Sequence, residues 1–361
     1  MFGPRTVRTG IDLGGAAVKL VRGRGVPQLQ AITHVGWEPI GEAVEGRIIS
    51  VGVAPTDDPE RAPGPDPATA RAGLPDAQPS PTAADLGSDT AGKALKRLLG
   101  RLQLGRRNLG RVAVGLGGEA ASFREVELPP LTEAELRRAL PFEARRHLNL
   151  DQMTDPVLDF QILGPGDQDP ETGAEQVRVL LAAVARGERD RLLKALRVAG
   201  VEPEVVDLQP LAGLNAVLAQ MQPPAAGAIA LLDVGARHAA VHVSGTDGAL
   251  LSRTLPGGGP PTNGERLNVW CTNLAAQLSE TLTFYRGRQR RQVESVVLAG
   301  YGSLVPGLRE LLQQNLKTPL TVLDPLASLA DGARGREDAQ GREPLFLTAC
   351  GLCRWWDGAD V

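Results

Sequence analysis

Residues 8–25, RTGIDLGGAAVKLVRGRG, and residues 228–248, AIALLDVGARHAAVHVSGTDG, follow one pattern: an apolar strand runs into Asp-X-Gly, small residues follow, and a second strand begins. Asp12 precedes Gly14 and Gly15 in the first copy, and Asp233 precedes Gly235 in the second. A single Asp-X-Gly turn suits any hairpin. Two in matching contexts, far apart in the chain, predict two lobes built on related sheets.

The same turns suggest a chemistry. Glycines at a tight turn let the main chain approach an anion, so that N–H groups can bond phosphate oxygens. Asp12 and Asp233 would then face a divalent metal bridging those phosphates, usually through water. A third element, VVLAGYGSLVPGLRELLQQNL at 296–316, reads as a strand, a turn at Gly300 and Gly302, and a helix opened near Pro306. An adenosine could lie against that glycine backbone, although a plain strand-to-helix loop has the same composition.

Around these elements, strand-like and helix-like segments alternate, which predicts an α/β architecture. With 361 residues, two cores are expected rather than one. Aromatics make up only 3%, so Leu, Val and Ala must fill those cores. Residues 133–148 predict a helix opened by a Thr132 and Glu135 capping box, with a break or kink at Pro141. Residues 187–199 predict a helix stopped at Gly200, followed by a short strand. Residues 267–285 predict the most regular helix, closed by the RGRQRR run at 286–291, whose arginines suit the negative end of the helix dipole. Residues 54–92, rich in Pro, Ala and Asp without aliphatic periodicity, read as a disordered surface loop.

Composition excludes some classes. A formal net charge of −3 gives no global field for nucleic acid or anionic lipid, so either partner would need a local patch. No window holds the roughly 18 consecutive apolar residues of a membrane span, and a cytoplasmic protein is expected. Cys350 and Cys353 have no second pair or nearby histidines to complete a metal shell, and read as small residues on a packed helix.

The three glycine-turn elements, in this order and spacing, resemble the two phosphate hairpins and the adenosine loop of the actin, sugar-kinase and cell-division-ATPase superfold. Within it, FREVELPPLTEAELRRALPFEARRHLNL at 123–150 and VLDFQIL at 157–163 resemble the PilM family of type IV pilus assembly proteins. So do residues 179–218, the Leu-Pro-Gly-Gly turn at 255–258, the Leu-rich helix ending FYR, and PLFLTACGLCRWW at 344–356. The resemblance implies a two-lobed actin-like fold with an inserted subdomain. Its expected parts are a first lobe at 1–53 and 93–122, the 54–92 loop, an inserted subdomain at 123–188, a connection at 189–224, a second lobe at 225–342, and a C-terminal helix and tail at 343–361. It further implies ATP with Mg in the inter-lobe cleft, held by Asp12, Gly14, Gly15, Lys19, Asp233, Gly235, Gly257, Gly258, Gly300 and Gly302. The implied role is a scaffold of the inner-membrane pilus platform, peripheral to that membrane, that captures the N-terminal cytoplasmic peptide of PilN. The candidate partner site is a groove beside the inserted subdomain at 123–188, where strand edges and the helix bearing Phe142 and Glu143 could accept an extended peptide by strand addition or apolar pockets, although Phe142 reads equally well as a core residue.

The sequence departs from that pattern in ways that weaken a nucleotide site. The helical subdomain that embraces the nucleoside in relatives is largely missing, because PGGGPPTNGERLN runs almost directly into the Leu-rich helix. The first hairpin offers Gly15, Ala16 and Ala17 where hydroxyls are usual, and Arg237 and His238 replace small hydroxyl residues in the second. Each lost hydrogen bond to a charged phosphate is worth roughly 1.5–3 kcal/mol, so weak or absent ATP binding is expected. Alternatives are a kinase or ATPase of the same superfold, for which no motif supplies a general-base carboxylate, the cytoplasmic domain of a type II secretion platform, and a membrane-tethered division protein, which would usually end in an amphipathic helix.

Overall fold

A computed structural model describes residues 7–25, 28–40, 88–117, 121–151, 153–169, 171–221, 223, 227–236, 238–245, 250–261, 264–327 and 330–355. The expected loop at 54–92 lies outside these residues up to 87, and its last five residues instead open a helix. Residues 1–6 and 41–53 of the expected first lobe, Arg237, and the tail from Trp356 also lie outside them.

In chain order the elements are β1 (Val7–Leu13), β2 (Ala17–Arg24), β3 (Ala31–Pro39), α1 (Ser88–Arg101), β4 (Arg111–Leu116), β5 (Ala121–Leu128), α2 (Glu133–His147), β6 (Pro156–Pro165) and β7 (Val177–Ala185). Then come α3 (Arg186–Ala199), β8 (Val205–Leu208), α4 (Gln209–Leu218), β9 (Gly227–Val234), β10 (Ala239–Gly245), β11 (Leu250–Leu255) and α5 (Gly264–Gln289). The chain closes with β12 (Gln292–Ala299), α6 (Leu308–Asn315), β13 (Leu320–Val322), α7 (Arg336–Ala339) and α8 (Leu347–Cys353).

The duplicated pattern becomes two sheets of identical topology. One has the order β3-β2-β1-β4-β8 and the other β11-β10-β9-β12-β13. In each, an antiparallel three-stranded meander is extended by two parallel strands on the side of its first strand. Asp12 and Asp233 occupy corresponding places: Asp12 pairs with Gly115 of the first parallel neighbour, and Asp233 with Ala299 of its counterpart. β9 is buried along nearly all its length, as expected of a central strand covered on both faces.

A third sheet, β5-β7-β6, is antiparallel and inserted between β4 and α3. α2 covers one face, where Leu136, Leu140 and Ala144 meet Val126, Leu128, Val179, Leu181 and Ala183. The capping box forms: Glu135 N donates to Thr132 Oγ1, and Thr132 N donates to Glu135 Oε2. The expected break at Pro141 does not occur. The helix runs through it to His147, on a solvent-exposed side where water can satisfy the carbonyl that a proline leaves without a donor.

The two lobes share a core. One apolar cluster takes Val21, Ile32 and Val35 from the first sheet and Ile229, Leu231, Val297 and Ala299 from the second, with Leu214 and Val217 of α4 and Leu347, Ala349 and Cys350 of α8 between them. Cys350 and Cys353 are buried and form no disulfide. α8 lies so close to α4 that a Cβ on Gly351 would overlap the Ala212 carbonyl, and one on Gly10 of β1 would strike the backbone at Ala349.

Candidate functional site

The β1–β2 and β9–β10 turns line a common cleft between the lobes, a cavity of about 170 Å³. Asp12, Gly14, Gly15, Lys19, Asp233, Gly235 and Gly300 all line it. Gly257, Gly258 and Gly302 are not among its lining residues. Gly257 instead accepts the Trp270 indole N–H at 3.0 Å, fixing the approach to α5. Gly302 packs against Val234, where a Cβ would collide with the valine side chain.

Antiparallel register sets Asp12 opposite Lys19, and their charged groups meet at 2.7 Å. The other oxygen of Asp12 accepts Gln209 Nε2 at 2.8 Å. Gln209 opens α4, and its side chain fits because Gly115 and Gly117 lack the Cβ atoms that would meet it. Across the cleft, burial raises the Asp233 pKa; Asp12 adds to the rise, while His238 and Lys19 oppose it. Gly300 holds φ 75, and a Cβ there would fall on Asp233 Oδ1, so this position admits only glycine without movement. The remaining wall includes Trp37, Leu231, Leu345 and Leu347.

The two aspartates that Mg and ATP would use are differently placed for that role. Asp12 is already committed to Lys19 and Gln209, and desolvation favours the neutral form of Asp233. The cavity is also smaller than the ~300–1,000 Å³ of ordinary small-molecule sites.

A larger groove, about 730 Å³, opens between the inserted sheet and the second lobe. β5 ends the inserted sheet and β11 ends the second-lobe sheet, so each carries an unpaired edge. Phe123 to Glu127 line one side and Leu250 to Ser252 the other, with Phe284 and Arg288 of α5 at one end. The two sides touch where Leu250 N donates to Glu125 Oε2 at 2.9 Å, and Arg178 holds the other oxygen of Glu125 at 3.2 Å. Phe142 and Glu143 do not line this groove. Phe142 is 72% exposed on the outer side of α2, and Glu143 pairs with His147 at 3.3 Å.

The family model for type IV pilus assembly protein PilM matches residues 88–268 and 261–354. The chain belongs to the PilM family. A solved PilM-PilN type IV pilus biogenesis complex resembles it with 23% identity and a TM-score of 0.66, covering 98% of this chain and 99% of that one. Lesser likenesses are the ethanolamine utilization protein EutJ from Carboxydothermus hydrogenoformans (13% identity, TM-score 0.41, 96% and 89% covered) and an archaeal actin homolog (14%, 0.41, 98% and 99%). The twin sheets are thus those of the PilM-family fold. No helix among the described residues is long and apolar enough to cross a membrane.

Two titrating groups of this PilM-family chain act on its stability in opposite directions. His242 is buried between the lobes with Nδ1 at 2.8 Å from Ser252 Oγ, and burial, with a smaller contribution from His238, lowers its pKa from 6.5 to about 4. The unfolded ring protonates first on acidification, so His242 removes stability as pH falls from 6.5 towards 4, on the order of 3 kcal/mol in full. Asp207 acts in the other direction: burial raises its pKa from 3.8 to about 6, only partly offset by the Leu208 N–H, so protonation below pH 6 favours the native state. Asp207→Asn is therefore expected to steepen the loss of stability between pH 6 and 4, and His242→Gln to flatten or reverse it. Urea midpoints across that range measure both; variants that follow the wild-type profile would refute the assignment.

Proposed function

We propose that this chain is a cytoplasmic scaffold of the type IV pilus inner-membrane platform, and that it holds the N-terminal peptide of PilN as an added strand in the groove between β5 and β11. The supporting observation is that two unpaired sheet edges face one another across a cavity of about 730 Å³. An extended peptide there can use main-chain hydrogen bonds for affinity and the apolar ring of Phe123 for side-chain choice. The inter-lobe cleft binds nucleotide weakly or not at all, since its aspartates are occupied or desolvated and its volume is small.

Anisotropy titration with a labelled PilN N-terminal peptide tests the groove. Phe123→Asp is expected to weaken binding at least tenfold without a change in melting temperature, and unchanged affinity would remove the groove from the reading. The 72% exposure of Phe142 favours a second contact on α2; Phe142→Ala with Glu143→Ala is then expected to reduce capture of whole PilN more than capture of the peptide. In a parallel titration with labelled ATP and magnesium, micromolar or tighter affinity would overturn the weak-cleft reading.

A further inference from the structure

The C-terminal end of α5 carries Arg286, Arg288, Arg290 and Arg291 within six residues, in a chain of formal net charge −3. Arg286, Arg288 and Arg290 are exposed, and none makes an ion pair among the described residues. Elsewhere, Arg97, Arg101, Arg111, Arg137 and Arg186 each meet a carboxylate. A helix dipole accounts for basic side chains in the last turn. It does not account for Arg290, which follows the helix at φ 52, a left-handed conformation that glycine or asparagine adopts at less cost. Nor does it account for Phe284, 56% exposed and earlier on the same helix.

We propose that Phe284, Arg286, Arg288 and Arg290 form a contact for the anionic lipid surface of the membrane. An exposed ring beside unpaired arginines is the composition of an interfacial contact, in which the ring enters the headgroup region and the guanidinium groups meet lipid phosphates. The geometry is continuous with the groove, since Phe284 and Arg288 belong to both. Only the orientation rests on the groove reading above: a membrane-anchored occupant of the groove turns this helix end towards the bilayer. Nucleic acid fits less well. It wants a basic track several phosphates long with rings to stack on, whereas this patch is one helix end beside one Phe.

The test uses the full chain and vesicles of phosphatidylcholine with or without one-third phosphatidylglycerol, read by co-sedimentation at low and high salt. Binding to the anionic vesicles is expected, lost at high salt and absent on phosphatidylcholine alone. At about fivefold per arginine, Arg286→Gln combined with Arg290→Gly should reduce the partition about 25-fold. Removing the left-handed arginine should leave the melting temperature unchanged or higher. Neither residue lines the groove, so the variant should keep its affinity for the PilN peptide. Equal binding to both vesicle types, no binding to either, or full binding by the variant would overturn the proposal, as would single-stranded RNA binding in place of vesicle binding. Vesicle binding without peptide binding would sink the groove reading alone.

Discussion

Gly351→Val is expected to lose about 4 kcal/mol or more of stability, an exceptional value for one substitution. Ordinary overpacking costs about 1–3 kcal/mol because side chains give way. Here the obstacle is main chain: an added Cβ on Gly351 overlaps the Ala212 carbonyl, and α8 cannot retreat because Gly10 of β1 is packed equally closely against its other side. α4 has little room to move either, since a Cβ on its Gly213 would already press on Leu231. Against a typical total of about 5–15 kcal/mol, such a loss leaves little folded protein on warming. Urea denaturation measures it, with Gly100→Ala as the control. Gly100 is exposed on α1 with open space around it, so that variant should gain about 0.5–1 kcal/mol. If Gly351→Val costs less than 1 kcal/mol, the two helices do not cross as closely as described.

Lys19→Met is expected to cost about 3–5 kcal/mol, the usual consequence of removing one partner of a buried ion pair. The Asp12 and Lys19 side chains are only 8% and 12% exposed, and methionine keeps most of the lysine stem packing while deleting the charge. Asp12 is then left buried with Gln209 as its remaining partner and Asp233 across the cleft. The double change Asp12→Asn with Lys19→Met removes both charges together and should cost less than the sum of the singles. The double-mutant cycle reports the coupling. A coupling near zero would mean that solvent already screens the pair.

These expectations rest on features of unequal legibility in the sequence. The hairpins could be read because an apolar strand, Asp-X-Gly and a second strand are local signals, and both copies formed β-hairpins with Asp12 and Asp233 at corresponding places. The capping box at Thr132 and the stop at Gly200, which sits at φ 74, are local in the same sense. Pro141 misled because a proline's effect on a helix depends on whether water reaches the freed carbonyl, which is a matter of burial. Gln209 was missed. It meets Asp12 across 197 positions, and only the absence of side chains at Gly115 and Gly117 makes room for it. A groove beside the inserted subdomain was expected, but its walls were not legible: which strands end as unpaired edges is decided by sheet order, not by the composition of Ala121–Leu128 or Leu250–Leu255. Phe142 lies two residues past Leu140, so it falls on the face of α2 away from Leu136, Leu140 and Ala144 and is turned to solvent.

The apolar cluster that runs unbroken from one lobe into the other has a mechanical corollary. Swinging the halves apart would wet Ile32, Val35, Leu231 and Val297 together, so a hinge at that seam is opposed by the hydrophobic effect throughout its travel. Traction on a strand seated at one rim is then shared by the entire body as by a single block. Such a body suits an anchorage, where force is borne without displacement, better than a motor that must open and shut.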